Sequence, residues 1–400
     1  MRILFCNYEY PPLGGGGGII NALLAEEMSK LNHESTVLTS HKSVMLVKSY
    51  ENGVNIIRVP VLFRSHEATA SLLSMLTFIP MGIKAGRKLL MSKQYDIINT
   101  HFVLPSGPVG DVLSRYGSIP NVISVHGGDL YDPSKFFSPH RHPLLRAWIT
   151  RLLRRADAVV GQSNNTLENM RRFYTPEIEG IRIPLGIKIP NNFVPASRMQ
   201  YGFREDEVLL VTIGRFIARK AIDQLISIMA GLRKEKVRLL VIGTGPKEQF
   251  LKQESLRMQL ENQIIFMGYV EETEKFRILK MCDFYVSTSN HEGFGLAFLE
   301  AMACGLPIVC YNHGGQTDFL RDQETGYLVS LNDLELFTKS CQSLIQNPIL
   351  RKTMGENNRR RVREFSIERC ASKYEKTFDE VLKKKTITNS QIVHSRVGRN

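Results

Sequence analysis

The 400-residue sequence contains no CxxC pair, no long uninterrupted apolar run and no repeat of short period. Its six cysteines, Cys6, Cys282, Cys304, Cys310, Cys341 and Cys370, are scattered through apolar stretches. That distribution argues against a disulfide framework or a zinc site and reads as small core residues. The most apolar window, residues 71–90, is broken by Pro80, Lys84 and Arg87, which argues against a bilayer span. The start, MRILFCNYEYPP, lacks the basic stretch and long apolar run of a secretory signal. It reads as a first β-strand, and the expected setting is reducing and cytoplasmic.

Acidic residues are in short supply. There are 39 against 52 basic ones, a formal charge of +13. Such an excess suits an anionic partner, whether a phosphate-bearing ligand, nucleic acid or an acidic membrane face, or else only a basic surface. Nucleic-acid binding is the weaker reading, because the basic residues are not interleaved with aromatics and no recognition motif occurs. With 43% hydrophobic and 23% charged residues, the chain is globular and long enough for two domains.

Short apolar runs rich in β-branched residues alternate with helical patterns. RILFCNY, STVLTS, NIIRVPV, YDIINTHF, NVISVHG and DAVVGQS read as strands before residue 165, with IRIPLGI as a further candidate. EVLLVTIGR, VRLLVIGTG, QIIFMGYV, DFYVSTS and LPIVCYN follow after residue 205. These runs scarcely alternate in polarity, as parallel strands covered on both faces do. Between them AIDQLISIMAGLRKE sets Ile222, Leu225, Ile226, Met229 and Leu232 on one helical stripe. The pattern predicts an α/β fold of two Rossmann-like, doubly wound domains facing across a cleft. The expected domains are 1–190 and 200–365, with the linker in the patternless stretch 190–206.

Ligands of such sheets bind beyond the carboxyl ends of strands, and the chemistry-bearing motifs lie at those ends. Gly14–Gly18 follow the first strand and precede a helix. They read as a floppy turn or, better, as a loop that lets backbone approach a phosphate at a helix start. It is neither a Walker loop nor a clean GxGxxG. His126, in VISVHGGD, ends a strand beside two glycines and is either a structural histidine or one that reaches a ligand; His101 is a similar, weaker candidate. Arg215 and Lys220, in TIGRFIARKAIDQL, form either a solvated basic loop or a diphosphate clamp, a planar fork and a point charge. Gly243 and Gly245 mark a tight crossover with a structural role and a possible ligand wall.

The densest motif is NHEGFGLAFLEAMACGLPIV. It predicts a helix that begins near Gly295 and stops at Gly305 and Pro307. Its amino end directs N–H groups at an anion, and Glu292 and Glu300 flank that end. A carboxylate accepts several hydrogen bonds and grips hydroxyl pairs. A sugar–diphosphate–ribose satisfies the arrangement, whereas an acidic helix cap at Glu292 is the plainer alternative.

At these residues the chain resembles retaining glycosyltransferase family four, of the GT-B fold. The likeness rests on E-G-F-G-L-x-x-x-E-A-M-A-x-G-x-P-[IV]-V, with G-R-x-x-x-x-K, G-x-G-P, H-G-x-D and the glycine-rich loop, and spans roughly residues 2–365. The resemblance implies a nucleotide-sugar donor, most simply a UDP-sugar, held mainly by the second domain. Glu300 would hold the ribose; Glu292 with the backbone of Gly293, Phe294, Gly295 and Leu296 would hold the donor sugar and phosphates. Arg215 and Lys220 would neutralise the leaving diphosphate, with Gly243 as a wall. Gly15 and Gly16 would approach the diphosphate, and His126 would sit at the transferred sugar. Catalytic roles thus fall to His126, Glu292, Arg215 and Lys220. No metal or other cofactor is expected, since no Asp-x-Asp stands at a strand end. A helix over 366–384 would cross back to the first domain, leaving 385–400 as a basic flexible tail. Two departures stand out: Ala221 where the family usually has glycine, and PLGIK at 184–188 where it has P-N-G-V-D.

The implied reaction is hexosyl transfer to a hydroxyl of a saccharide or lipid-linked acceptor, in cell-surface polysaccharide or glycolipid assembly. A GT-B phosphorylase and a sugar-nucleotide epimerase are the alternatives within enzymes. Residues 141–155 add a basic amphipathic helix, with Arg151, Arg154 and Arg155 on one face and Leu145, Trp148, Ile149 and Leu152 on the other. It is an ordinary surface helix or a peripheral contact for anionic lipid.

Overall fold

The fold is described from a computed structural model. The description covers residues 1–42, 45–64, 71–189 and 194–397, with backbone alone for 388–397. Residues 190–193 of the expected linker and 398–400 of the expected tail lie outside it.

The chain divides into two units. Met1–Tyr131, Lys135–Gly186 and the chain from Ile367 onward form the first; Asp132–Ser134 and Ile187–Ser366 form the second. The division at Gly186 and Ile187 precedes the patternless stretch, whose described part, 194–206, belongs to the second unit.

The first unit holds strands β1 (Arg2–Asn7), β2 (Glu34–His41), β3 (Lys48–Glu51), β4 (Val54–Pro60), β5 (Ile97–His101), β6 (Asn121–Val125), β7 (Ala158–Gly161) and β8 (Ile181–Arg182). Their sheet order is β3-β4-β2-β1-β5-β6-β7-β8. Every pair is parallel except β3 with β4. Helices α1 (Gly16–Lys30), α2 (Leu72–Ser92), α3 (Ser106–Gly117), α4 (Pro143–Arg155) and α5 (Asn164–Phe173) connect them. β1, β5 and β6 are almost wholly buried, which is why their sequences are apolar without alternation. One apolar cluster packs Phe78 of α2 with Leu4, Ile98, Val109 and Leu113. Another packs Ile149, Leu152 and Leu153 of α4 with Ile123, Val125 and Val159. Ile149 and Leu152 of the basic helix's apolar side therefore belong to the core, while Trp148 and the arginines remain outside.

The second unit repeats the scheme with β9 (Val208–Ile213), β10 (Val237–Ile242), β11 (Ile264–Gly268), β12 (Phe284–Ser287), β13 (Ile308–Tyr311) and β14 (Gly326–Val329). The order β11-β10-β9-β12-β13-β14 is the 3-2-1-4-5-6 sequence of a doubly wound sheet. Its helices are α6 (Ile222–Gly231), α7 (Glu248–Arg257), α8 (Glu272–Met281), α9 (Leu296–Cys304), α10 (Leu334–Gln346) and α11 (Pro348–Arg361). The α6 stripe is buried as its spacing predicts: Ile222, Leu225, Ile226 and Met229 enter the central cluster with Leu210, Val241 and Val286. Each such side chain contributes about 2 kcal/mol on burial. All six cysteines are buried free thiols.

The last helix, α12 (Ile367–Val397), belongs to the first unit. Its Tyr374 hydroxyl donates to Ser124 Oγ (3.0 Å), and His33 Nε2 lies 2.7 Å from Glu375 Oε1. The tail expected from residue 385 is instead helical backbone as far as Val397. The reason is an absence of stop signals, because no glycine or proline occurs between Ile367 and Val397. Lys385 Nζ also donates to the Ser118 carbonyl (2.8 Å). Among the described residues no helix is long and apolar enough to cross a membrane.

Candidate functional site

In the second unit the strand order reverses between β9 and β12, the place where ligands of such sheets bind. The loop after β9 runs through Gly214, Arg215 and a 3₁₀ turn over Ala218–Lys220 to α6. Its course is fixed from below. Phe216 is buried, its N–H donates to the Thr244 carbonyl (2.9 Å) and its carbonyl accepts from Lys247 N–H (3.0 Å). A Cβ on Gly243 would stand 2.0 Å from the Gly214 carbonyl oxygen, and one on Gly245 would stand 2.6 Å from Phe216 N. These two glycines therefore let the neighbouring loops touch, which is the structural role expected of them.

Two hydrogen bonds join this turn to the loop after β12. Thr288 Oγ1 donates to the Ala221 carbonyl (2.8 Å), and Asn290 N–H donates to the Arg219 carbonyl (2.9 Å). The pairing brings the Lys220 ammonium onto the Glu292 carboxylate as a hydrogen-bonded ion pair. Glu292 is buried, which by itself raises its pKa. The charges of Lys220 and Arg219, with hydrogen bonds from Lys220 and Ser289, outweigh burial and hold the carboxyl below its usual range. Arg219 Nη1 lies 3.7 Å from Asp132 Oδ2. Ala221 adopts the left-handed conformation, φ 45° and ψ 41°, so glycine suits this position.

α9 opens at Gly295, whose φ of 96° is left-handed and which has no side chain to cap the helix. The acidic-cap alternative for Glu292 is not what the structure adopts. Phe294 turns its ring inward against Phe319, centroids 5.0 Å apart, leaving its backbone as the available part. Leu296, Ala297 and Glu300 are half-buried, whereas Phe298, Leu299 and Ala301 are buried. The spacing of 296, 297 and 300 places Glu300 on the accessible face of the first turns. There its carboxylate pairs with Lys275 of α8 (2.9 Å). The loop after β13 closes in from the other side: Gly315 N–H donates to the Glu292 carbonyl (2.8 Å), and a Cβ on Gly315 would meet the Gly293 oxygen at 2.0 Å. The sheet thus gathers Arg215, Lys220, Gly243, Glu292, Gly293, Phe294, Gly295, Leu296 and Glu300 onto loops and helix starts at one edge. Lys220 and Glu292 are in direct contact.

The remaining candidates lie in the first unit. Gly15 is the N-cap of α1, and its N–H donates to Glu9 Oε2 (3.0 Å). Gly16–Gly18 form the first helical turn rather than an open loop. Gly17 has no room for a side chain, because its Cβ would stand 2.1 Å from the Phe102 ring. His126 is buried at the end of β6. Its N–H donates to Asp129 Oδ1 (2.9 Å) and its carbonyl accepts from Gln162 Nε2 (2.7 Å). Burial lowers its pKa to about 4, against a side-chain hydrogen bond between the ring and Gln162 that raises it. His101 stacks on it, ring centroids 5.1 Å apart, with Nδ1 3.0 Å from His126 Nε2. Burial and His126 push His101 well below the usual range.

The motif reading missed Arg219, Lys275 and Asp132, which supply the partners of the predicted residues. Arg219 lies inside the quoted G-R-x-x-x-x-K segment, but the spacing alone does not separate it from its neighbours. Lys275 and Asp132 carry no sequence signal, since each meets its partner only through the fold. Among the described residues no group of three or more His, Cys, Asp or Glu could hold a metal ion.

Comparison with known proteins bears on the family and the fold. Residues 14–189 match the family model Glycosyltransferase Family 4, and residues 194–361 match Glycosyl transferases group 1. The N-acetyl-alpha-D-glucosaminyl L-malate synthase of Bacillus anthracis is 25% identical over 391 residues, covering 94% of this chain and 96% of its own. The alpha-monoglucosyldiacylglycerol synthase of Streptococcus pneumoniae is 25% identical over 396 residues, covering 93% and 87%. Sucrose-phosphate synthase from Thermosynechococcus elongatus has the same fold, with TM-score 0.84, 22% identity and coverage of 96% and 99%. Anabaena Alr3699/HepE in complex with UDP-glucose superposes with TM-score 0.76 at 19% identity, covering 95% of this chain and 100% of its own. Two parallel-sheet units of this order are the GT-B architecture. The chain is a glycosyltransferase of the family-four type.

Proposed function

We propose that this glycosyltransferase moves a hexosyl group from a UDP-sugar to a hydroxyl of a saccharide or lipid-linked acceptor, with retention of anomeric configuration. The observation that carries the reading is the Lys220–Glu292 pair at the amino end of α9. It sets a cation and a carboxylate together beside a helix start, where a sugar diphosphate needs all three. The UDP-glucose complex of the Anabaena structure favours uridine. The name of the Streptococcus relative favours a lipid acceptor, and with it a role in glycolipid or cell-surface polysaccharide assembly.

In this reading Arg215 and Lys220 take the charge of the departing diphosphate, helped by the N–H groups of Gly295 and Leu296. Preorganised charge of this kind usually lowers the barrier of such a step more than any other effect. The glycosidic bond to phosphate breaks through an oxocarbenium-like centre. The donor phosphate oxygen then accepts the proton of the attacking hydroxyl, which bonds to the anomeric carbon on the face just vacated. Glu300 grips the ribose hydroxyls, Glu292 and the Gly293–Leu296 backbone hold the sugar and phosphates, and Gly243 stands as a wall. In the first unit, Gly15 and Gly16 approach the phosphates and His126 contacts the transferred sugar. Arg215 and Lys220 are proposed to carry the leaving charge themselves, so turnover is proposed to be metal-independent.

We place the enzyme in the cytoplasm, with a peripheral membrane contact through the arginine face of α4. Thermal-shift titration with UDP-, GDP- and ADP-sugars, followed by acceptor-dependent release of nucleoside diphosphate and mass analysis of the product, tests the whole reading. Stabilisation by a UDP-sugar and acceptor-dependent release are expected. Release without any acceptor-linked product, conversion of the donor to an epimer, or phosphate-dependent cleavage of a saccharide would overturn it.

A further inference from the structure

The second unit has a cavity at the edge of its sheet away from the Lys220–Glu292 pair. Asp283 and Leu306, which stand just before β12 and β13, line it, so it lies at the amino ends of those strands. Glu292 and Gly295 instead follow β12 at its carboxyl end. α9 starts at that end, and its last residue, Cys304, lines the cavity. The 9 residues of α9 span roughly 13 Å at 1.5 Å each, so the two places are separate. The cavity holds about 250 Å³, just below the range of about 300–1,000 Å³ usual for drug-sized ligands.

Its lining is cationic. Among the described residues Lys280, Arg351, Lys352 and Arg359 stand there against one carboxylate, Asp283. Part of this charge has a structural task. Arg359 Nη2 donates to the Cys304 carbonyl (3.2 Å) at the end of α9. Gly305 makes room for it, since a Cβ there would stand 2.3 Å from the guanidinium carbon. Arg351 Nη1 donates to the Ile345 carbonyl (2.9 Å) near the end of α10, and its Nε lies 3.7 Å from Asp283 Oδ1. Asp283 is already engaged, because its Oδ2 accepts from Arg198 and from the Leu209 N–H, both at 2.8 Å. Lys352 is exposed, and its ammonium makes no hydrogen bond or ion pair among the described residues. The carbonyl ends of α8, α9 and α10 each offset about half an elementary charge, and the amino end of α11 at Pro348 adds about half. Even with Asp283 counted in full, the cavity stays positive by about two charges. Burial raises the Cys282 and Cys304 thiols, so both stay protonated and bring no negative charge.

We propose that this cavity is a second ligand site, separate from the donor site, and that it takes a phosphate monoester with a small organic body. Such a group carries about −1.5 to −2 charges at neutral pH and three acceptor oxygens. The charge matches what the lining leaves over. The oxygens match its N–H donors, of which Arg359 commits one of five to Cys304. The volume suits a monophosphate rather than a second nucleotide-sugar.

The test uses the full chain with excess UDP, which fills the donor site, at an ionic strength held constant with sodium chloride. Ribose 5-phosphate is the probe, read by calorimetric titration and by thermal shift, with ribose and inorganic phosphate as comparisons. Ribose 5-phosphate is expected to bind and to raise the melting temperature, and ribose to do neither. Lys352→Glu reverses an exposed charge and should weaken the binding at least about tenfold. Lys280→Gln should weaken it as well, so the proposal stays testable if one variant fails to fold. Lys234→Glu, the same charge change at an exposed residue outside the cavity, should bind as the wild type does. No response of the wild type, or wild-type affinity in both Lys352→Glu and Lys280→Gln, would overturn the site. Binding that disappears when UDP is added would assign the phosphate to the donor site instead. Tighter binding of inorganic phosphate would overturn the monoester. A chain that does not bind UDP at all would sink the proposed function, while the dependence on Lys352 would still decide this site.

Discussion

Lys220 and Glu292, 72 residues apart in sequence, meet as a hydrogen-bonded ion pair where the sheet of the second unit reverses its order. Glu292 is buried and Lys220 nearly so. A pair of this kind adds little net stability when intact, but removing one partner leaves an uncompensated buried charge. Lys220→Ala is therefore expected to destabilise the enzyme by about 3 kcal/mol, at the low end for a broken buried pair because Arg219 remains nearby. It should also slow transfer at least about a hundredfold, roughly 2.7 kcal/mol in the barrier. Lys220→Met combined with Glu292→Leu should recover much of the melting temperature and none of the turnover. Recovery of both would remove these residues from the chemistry.

Glu300 makes a second, separate test. It sits on the accessible face of α9 and is held by Lys275 at 2.9 Å. Its proposed task is to accept hydrogen bonds from two ribose hydroxyls, which one carboxylate can do while still paired to an ammonium. Glu300→Ala should lower kcat/KM for a UDP-sugar at least about a hundredfold. Glu300→Gln, which keeps one acceptor oxygen, should fall in between. Equal kinetics for wild type and Glu300→Ala would exclude the ribose contact.

Ala221 offers a prediction with no bearing on chemistry. It holds φ 45° and ψ 41° between the turn that carries Lys220 and the first residue of α6. A Cβ in this conformation costs about 1–2 kcal/mol, part of which is offset because glycine loses more backbone entropy on folding. Ala221→Gly should stabilise the enzyme by about 0.5–1 kcal/mol, read as a shift of the urea midpoint at constant m. Destabilisation would mean that the buried methyl outweighs the strain.

The elements legible in sequence are those whose signal is local. Parallel strands such as β5 and β9 are recognisable because both faces are buried, and α6 because its stripe feeds one cluster. Gly243, Gly295 and Gly315 fall at turns because each sits where a side chain would collide with a neighbour. β3 and β14 escape a reading by pattern. β3 is a four-residue exposed edge strand, KSYE, with no apolar pattern to betray it, and β14 begins at a glycine. The helical turns past residue 384 look like a tail because they lack an apolar period, yet a missing period is not a missing helix. What the sequence could not disclose was pairing. Nothing local says that Lys275 would meet Glu300, that Arg219 would approach Asp132, or that His101 would stack on His126. Those contacts arise only when strands are placed side by side.

The basic helix tests the membrane reading. Ile149, Leu152 and Leu153 are committed to the core, so of the apolar face of α4 chiefly Trp148 (36% exposed) stays available to lipid. What remains outside is Arg151, Arg154 and Arg155, with Leu144 (87% exposed) on the same helix and Phe136 and Phe137 (74% and 76%) in the loop before it. Arginines beside exposed aromatic and aliphatic groups suit an anionic interface. Flotation with vesicles containing anionic lipid should carry the enzyme upward at low salt and lose it as salt rises. Phe136→Ser with Phe137→Ser should weaken flotation without changing turnover of a soluble acceptor. Flotation that is independent of salt and of lipid charge would remove this surface from consideration.

Acid stability follows from the buried histidines. Burial holds His126 and His291 at about 4 and pushes His101 well below its usual range, against about 6.5 in the unfolded chain. Because the folded values are depressed, their contribution is fully present above pH 6.5 and is lost as pH falls towards 4, where the unfolded chain binds the extra protons. Asp129 acts in the opposite sense. Burial raises it to about 6 against the backbone N–H groups of Val103 and His126. Its contribution is therefore full below pH 3.8 and lost as pH rises through 6. Three histidines against one carboxyl leave the unfolded chain the net proton binder between pH 6.5 and 4. Unfolding free energy should fall across that window by about 1.4 kcal/mol per pH unit for each net proton. His126→Asn removes one titrating ring and should flatten the slope of urea stability between pH 7 and 4.5. An unchanged slope would mean that His126 is protonated in the folded enzyme.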